Sequence, residues 1–109
     1  GVEIEYDLDN LIEWGDILNI LRIQRERMGV GIIPSVREYR NFFGITKDRM
    51  NNHKKEIVIM HPGPINRGVE IDSSVADSNQ AIILDQVLNG VAVRMSVLYL
   101  LLRNDNLEV

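Results

Sequence analysis

Residues 17–24 read ILNILRIQ and residues 56–64 read EIVIMHPGP, and these two stretches decide the fold. The first is a nearly continuous apolar run through Ile23 with several β-branched members, the pattern of a central strand covered on both faces. It ends in Arg22 and Gln24. The second, residues 56–60, is another run of the same kind and passes directly into His61-Pro62-Gly63-Pro64. Two prolines in three residues cannot continue a ladder, so the strand stops there.

Working outward, Val2, Ile4 and Tyr6 alternate with Glu3, Glu5 and Asp7, the period of a half-buried strand. Asp7 reads as the N-cap of a short helix with Leu8, Leu11 and Ile12 on one face and Gly15 at its end. Residues 25–34 (RERMGVGIIP) carry two glycines and no period, which predicts a loop with freedom to move. Ser35 with Glu38 forms a capping box, and Val36, Tyr39, Phe42 and Phe43 give a helical stripe closed by Gly44, with its aromatics expected in the core. A second short helix follows Thr46. Asp77 with Gln80 predicts a helix to about Leu88, a break or kink at Asn89-Gly90, and a last helix from Val91 to about Arg103. That helix is apolar on nearly every side and so needs cover on every side. The order of strands and helices predicts an α/β fold: a parallel sheet flanked by helices in three layers, with a long C-terminal helix pair.

With 109 residues the chain allows one domain at most, and its 45% hydrophobic and 26% charged residues are ordinary for a globular protein. The absence of cysteine excludes disulfides, thiolate metal sites and a cysteine nucleophile, which points to a reducing compartment, the cytoplasm. The opening GVEIEYDLDN has neither the basic start nor the apolar run of a signal peptide. Val91–Leu102 is 12 residues long and contains Arg94, against the ~20 residues needed to cross a bilayer, so no membrane span is expected. A net charge of −4 argues against a nucleic-acid surface. A small molecule or another protein is the expected partner.

In parallel α/β sheets ligands sit beyond the carboxyl ends of the strands, and both strand ends here are chemically unusual. Arg22 and Gln24 are two apart on an extended segment, so they share a face. A guanidinium fork fits a carboxylate bidentately and an amide adds a donor and an acceptor, a pair suited to a dicarboxylate or amino acid. The competing reading pairs Arg22 with a structural carboxylate such as Glu26 or Asp16. At the other end, the proline bend can turn carbonyls out of the strand toward a ligand's amino group, or can simply end the strand; an X-Pro bond is also the common place for a cis peptide. His61 and His53 without cysteines make no evident metal site, so His61 reads as a hydrogen-bonded structural histidine and neither metal nor cofactor is expected. Arg25, Glu26 and Arg27 are either a solvated charge run or a locally positive mouth for an anion. Arg94 in its apolar helix calls for a buried partner or a return to the surface.

Taken together, ILNILRIQRERM, MHPGPINRGVEI, VADS and QVLNGVAVRMSVL resemble the carboxyl-terminal part of the catalytic chain of the aspartate carbamoyltransferase family, in the family's order and over nearly all of the chain. The resemblance implies transfer of a carbamoyl group from carbamoyl phosphate to L-aspartate, a step of pyrimidine synthesis, with the substrates held between two domains. It matches Arg22 and Gln24 to the residues that hold aspartate's carboxylates, and Gly63 and Pro64 to a cis-proline turn whose backbone contacts the carbamoyl group. Pro62 and Arg67 match supporting positions, and residues 25–33 a loop that closes over aspartate. The related ornithine enzymes carry a turn resembling His-Cys-Leu-Pro, from which this chain departs. The family's carbamoyl-phosphate domain, with its Ser-Thr-Arg-Thr loop, and the beginning of the aspartate domain have no counterpart here. The resemblance therefore implies an incomplete aspartate-binding domain over residues 1–90, a C-terminal helix over 91–109 that packs on the absent domain, a homotrimer in the longer enzyme, and inactivity of this piece alone. The alternative is a non-catalytic binding or assembly module of the same fold.

Overall fold

The structure, a computed structural model, describes residues 1–24, 35–53 and 55–103. Its elements in chain order are α1 (Leu8–Trp14), β1 (Ile17–Asn19), α2 (Val36–Phe43), α3 (Lys47–Asn52), β2 (Val58–Met60), α4 (Ser73–Ala76) and α5 (Ile83–Leu102). The α/β class and the parallel pairing expected from the sequence are both present. β1 and β2 run parallel with Ile17, Leu18 and Asn19 opposite Val58, Ile59 and Met60. On the far side of β2, Ile59 N–H donates to Gln80 O at 2.8 Å and Ile82 N–H to Ile59 O at 2.9 Å, so β2 is flanked on both edges.

Helix ends follow the caps legible in the sequence. Asp7 accepts from the amides of Asp9 and Asn10. Ser35 Oγ accepts from Glu38 N–H at 3.0 Å and Thr46 Oγ1 from Arg49 N–H at 3.1 Å. Each satisfies an otherwise orphaned donor of the first turn. Gly44 is required by space: a Cβ there would stand 2.6 Å from Arg40 O. Arg49 ties three helices together, donating to Asp9 Oδ1 on α1 at 2.9 Å, to Asn41 O on α2 at 3.0 Å and to Gly44 O at 2.6 Å.

The core is Ile12, Leu18, Ile45, Ile57, Ile59, Ile71, Val75 and Ile83. Burying each such side chain contributes roughly 1.5–3 kcal/mol. Among the described residues only one face of the sheet is covered. Leu18 and Ile59 point into the core, while Ile17 is 59% and Val58 37% exposed on the other face. The expectation of strands buried on both faces is therefore corrected: an apolar run shows that cover is needed, and among the described residues it comes from one side.

Four further expectations change. Residues 1–7 form no strand, because their alternation finds no neighbouring strand to complete a ladder. Phe42 and Phe43, expected in the core, are 62% and 47% exposed. The helix foreseen from Asp77 begins instead at Ile83, and Asp77 closes the short α4. No break occurs at Asn89-Gly90: α5 is one helix of 20 residues, so the C-terminal pair is a single element. Its intact i→i−4 bonding outweighs the roughly 1 kcal/mol propensity cost of a mid-helix glycine.

By length and composition α5, with a mean hydropathy of 1.3, is long and apolar enough to cross a membrane. Its first turns nevertheless belong to the α/β core, with Ile83 buried and the Gln86 side chain bonded to the end of β2. The remaining turns are exposed, Arg94 among them, as the surface alternative for that residue requires. The loop expected over residues 25–34 lies outside the described residues.

Candidate functional site at the carboxyl ends of the strands

Because β1 and β2 are parallel neighbours, their carboxyl ends emerge at the same edge of the sheet. Just beyond β1, Ile20 N–H donates to Met60 O at 2.8 Å. Ile23 turns inward and is buried, Arg22 is half-buried and Gln24 exposed. Asp16, one of the carboxylates open to Arg22 on sequence grounds, is engaged by Lys55 Nζ at 3.1 Å. The other, Glu26, lies outside the described residues.

Beyond β2 the chain makes a turn built almost entirely from side-chain bonds to its own backbone. His61 is fully buried and Glu70, nine residues on, is buried beside it. His61 N–H donates to Gln86 Oε1 at 2.8 Å, and Gly63 N–H donates to His61 Nδ1 at 2.8 Å. His61 Nε2 lies 3.1 Å from Glu70 Oε1, which also accepts from Asn66 N–H at 2.7 Å. The Gly63–Pro64 peptide is cis. Gly63 has φ +68°, a conformation that favours glycine, and the space beside it is open, with nothing within 4 Å of where a Cβ would stand. The carbonyls of Pro62, Gly63 and Pro64 accept no hydrogen bond from the described residues.

One bond joins the two ends. Asn66 Nδ2 donates to Ile23 O at 2.9 Å, so the residue between Arg22 and Gln24 is held against the residue two beyond Pro64. Arg67 forms a two-point ion pair with Asp77, both bonds 3.0 Å and both partners exposed. That pairing raises the Arg67 guanidinium pKa and lowers that of the Asp77 carboxyl. Burial, and then the nearby Glu70 carboxylate, push the Tyr39 phenol above its ordinary value.

His61 is the hydrogen-bonded structural histidine that the sequence suggested. Glu70, Gln86 and the bridging role of Asn66 were not foreseen. The only signal was Glu70 itself, a carboxylate between Val69 and Ile71 at nine residues' remove from a histidine, and such a pairing depends on the path of the chain. Among the described residues no three His, Asp or Glu side chains are grouped to hold a metal. An open cleft of about 450 Å³ lined by Trp14, Ile17, Leu21, Tyr39 and Phe43 lies beside β1, and it includes none of Arg22, Gln24, Gly63 or Pro64.

A parallel α/β unit in which the chain after one strand is tied to the proline-bent end of the next has the architecture in which ligands bind at strand carboxyl ends. The profile of the family described as aspartate/ornithine carbamoyltransferase, Asp/Orn binding domain, matches residues 2–101. The chain belongs to that family. It is 59% identical over 104 residues to the aspartate carbamoyltransferase catalytic subunit of Cytophaga hutchinsonii, covering 95% of this chain and 34% of the relative. With the same subunit of Christiangramia forsetii it shares 62% identity over 101 residues, 93% of this chain and 33% of the relative. Among solved structures it is similar to aspartate transcarbamoylase from Trypanosoma cruzi in complex with carbamoyl phosphate, with a TM-score of 0.67 and 26% identity over 84% of this chain and 28% of that one. Ornithine carbamoyltransferase from Pyrococcus furiosus, at 24% identity and a TM-score of 0.65 over 85% of this chain and 29% of that one, shares the fold. The chain spans about a third of the length of the curated relatives it matches.

Proposed function

We propose that this chain is the carboxyl-terminal part of the aspartate-binding domain of an aspartate carbamoyltransferase, converting carbamoyl phosphate and L-aspartate to N-carbamoyl-L-aspartate and phosphate. Arg22 and Gln24 bind the carboxylates of aspartate. The backbone at Gly63 and Pro64 receives the carbamoyl group, whose amide hydrogens find open carbonyls there, and Pro62 and Arg67 support the turn. The amine nitrogen attacks the carbamoyl carbon, a C–N bond forms, the bond to the phosphate oxygen breaks, and the amine gives up a proton. Attack of this kind depends on positioning and on stabilising the developing oxyanion, so no covalent nucleophile or cofactor enters the scheme.

The observation that carries this reading is the Asn66–Ile23 bond, which brings both strand ends to one place. The remaining parts of the site come from the amino-terminal region found in the relatives, and the turns of α5 from Val91 to Leu102 pack on it. The 109-residue chain alone is therefore expected to be inactive. The whole enzyme is a cytoplasmic homotrimer on this reading, with neither nucleic acid nor membrane as partner. The exposed apolar length of α5 supports a protein cover for that helix.

The test supplies the chain with the amino-terminal region of its relatives and measures carbamoyl aspartate formation. Arg22→Ala is expected to raise the KM for aspartate by roughly 10- to 100-fold, the scale of a lost charge-assisted pair. Unchanged aspartate affinity in that variant overturns the assignment.

A further inference from the structure

The hydrogen bonds around His61 dictate its proton position. Its Nδ1 accepts from Gly63 N–H at 2.8 Å, so that nitrogen presents a lone pair. The single proton of the neutral ring is then on Nε2, directed at Glu70 Oε1 3.1 Å away. Glu70 Oε1 in turn takes Asn66 N–H at 2.7 Å, and Gln86 Oε1 takes the backbone N–H of His61 at 2.8 Å. Pro62 and Pro64 have no N–H to offer, so the turn between His61 and Asn66 is shaped by two side chains and not by a ladder. Both side chains are fully buried, where such bonds hold most firmly.

We propose that His61, as the Nε2–H tautomer backed by Glu70, is a positioning residue for carbamoyl transfer: it aims the carbonyls of Pro62, Gly63 and Pro64 and keeps Asn66 in reach of Ile23. This rests on the carbamoyltransferase reading given above. His61 touches no substrate. It acts by fixing the Gly63 amide, and Glu70 acts by fixing both His61 and Asn66. The arrangement follows the general pattern in which a histidine's second nitrogen is oriented by a carboxylate.

Two substitutions separate the bonds. His61→Asn places an oxygen where Nδ1 accepts from Gly63, while His61→Gln reaches toward Glu70 and loses that acceptor. In the chain supplied with its relatives' amino-terminal region, His61→Gln is expected to lower kcat by roughly 10- to 100-fold, the cost of a site displaced by about an ångström. The KM for aspartate is expected to stay within about twofold, and His61→Asn to retain the larger share of activity. Equal activity of the two variants, or a loss confined to the KM for aspartate, overturns the proposal.

Nitrogen-15 spectra of the wild-type protein give an answer independent of any variant's folding. A protonated Nε2 with a lone-pair Nδ1 at His61 is expected, and the opposite tautomer overturns the assignment. Failure of the wild-type protein to make carbamoyl aspartate would refute the proposed reaction, while the spectra would still decide the tautomer.

Discussion

Asp72 shows how a single side chain joins two helices to the segment that follows the proline turn. Its carboxylate accepts from Arg40 and, at 3.1 Å, from Lys47 N–H, joining α2 and the start of α3 to the segment before α4. The hydrogen bond from Arg40 is the main reason its carboxyl is held below the usual range. A group whose folded pKa is depressed contributes stability above its unfolded value, near 3.9, and loses it as pH falls through the folded value. Asp72→Asn should therefore cost about 1–2 kcal/mol at pH 7 and progressively less as pH falls below the ordinary carboxylate range, read from urea unfolding across a series of acid pH values. A cost that persists undiminished in acid would assign the effect to packing and not to charge. At the same scale, the identity of Gly44 follows from Arg40 O standing where a Cβ would be, and that of Gly63 from a positive φ.

At the scale of elements, the short helices α1, α2 and α3 start at Asp7, Ser35 and Thr46, the first two legible in the sequence as caps and the third as the residue a short helix follows. α5 is different. Its Asn89-Gly90 pair reads as a break, yet the helix passes through it unbroken, and a Cβ at Gly90 would meet nothing within 4 Å. Gly90→Ala should thus stabilise the 109-residue chain by about 0.5–1 kcal/mol, through helix propensity and a less free unfolded state. Thermal unfolding followed by circular dichroism checks it. If the same substitution destabilises the longer enzyme, Gly90 lies where another element approaches closely.

The whole molecule is extended for its length. Its radius of gyration is 17.9 Å, against about 13 Å for a compact domain of this size. The turns of α5 beyond Gln86 leave the core, with Leu98 57%, Leu101 69% and Leu102 78% exposed. Apolar surface on that scale associates. Sedimentation of the isolated chain is expected to show concentration-dependent self-association, and Leu98→Lys with Leu101→Lys to suppress it while leaving the α/β core folded. A strictly monomeric wild-type chain at tens of micromolar would contradict the expectation.

What the sequence by itself determined is local. The apolar runs at residues 17–23 and 56–60, the caps, and the proline stop after β2 depend on near neighbours along the chain, so pattern was enough to place two parallel strands and the residues at their ends. It also supplied Arg22, Gln24, Gly63 and Pro64 as candidates, together with a family resemblance. Tertiary structure decided everything that depends on who sits opposite whom. It left residues 1–7 without a strand partner, turned Phe42 and Phe43 outward, and carried α5 through Gly90. It set Glu70 against His61 and Asn66 against Ile23, bonds that span 9 and 43 positions in the chain. Periodicity reports that a side chain needs burial or a partner; only the path of the backbone supplies one.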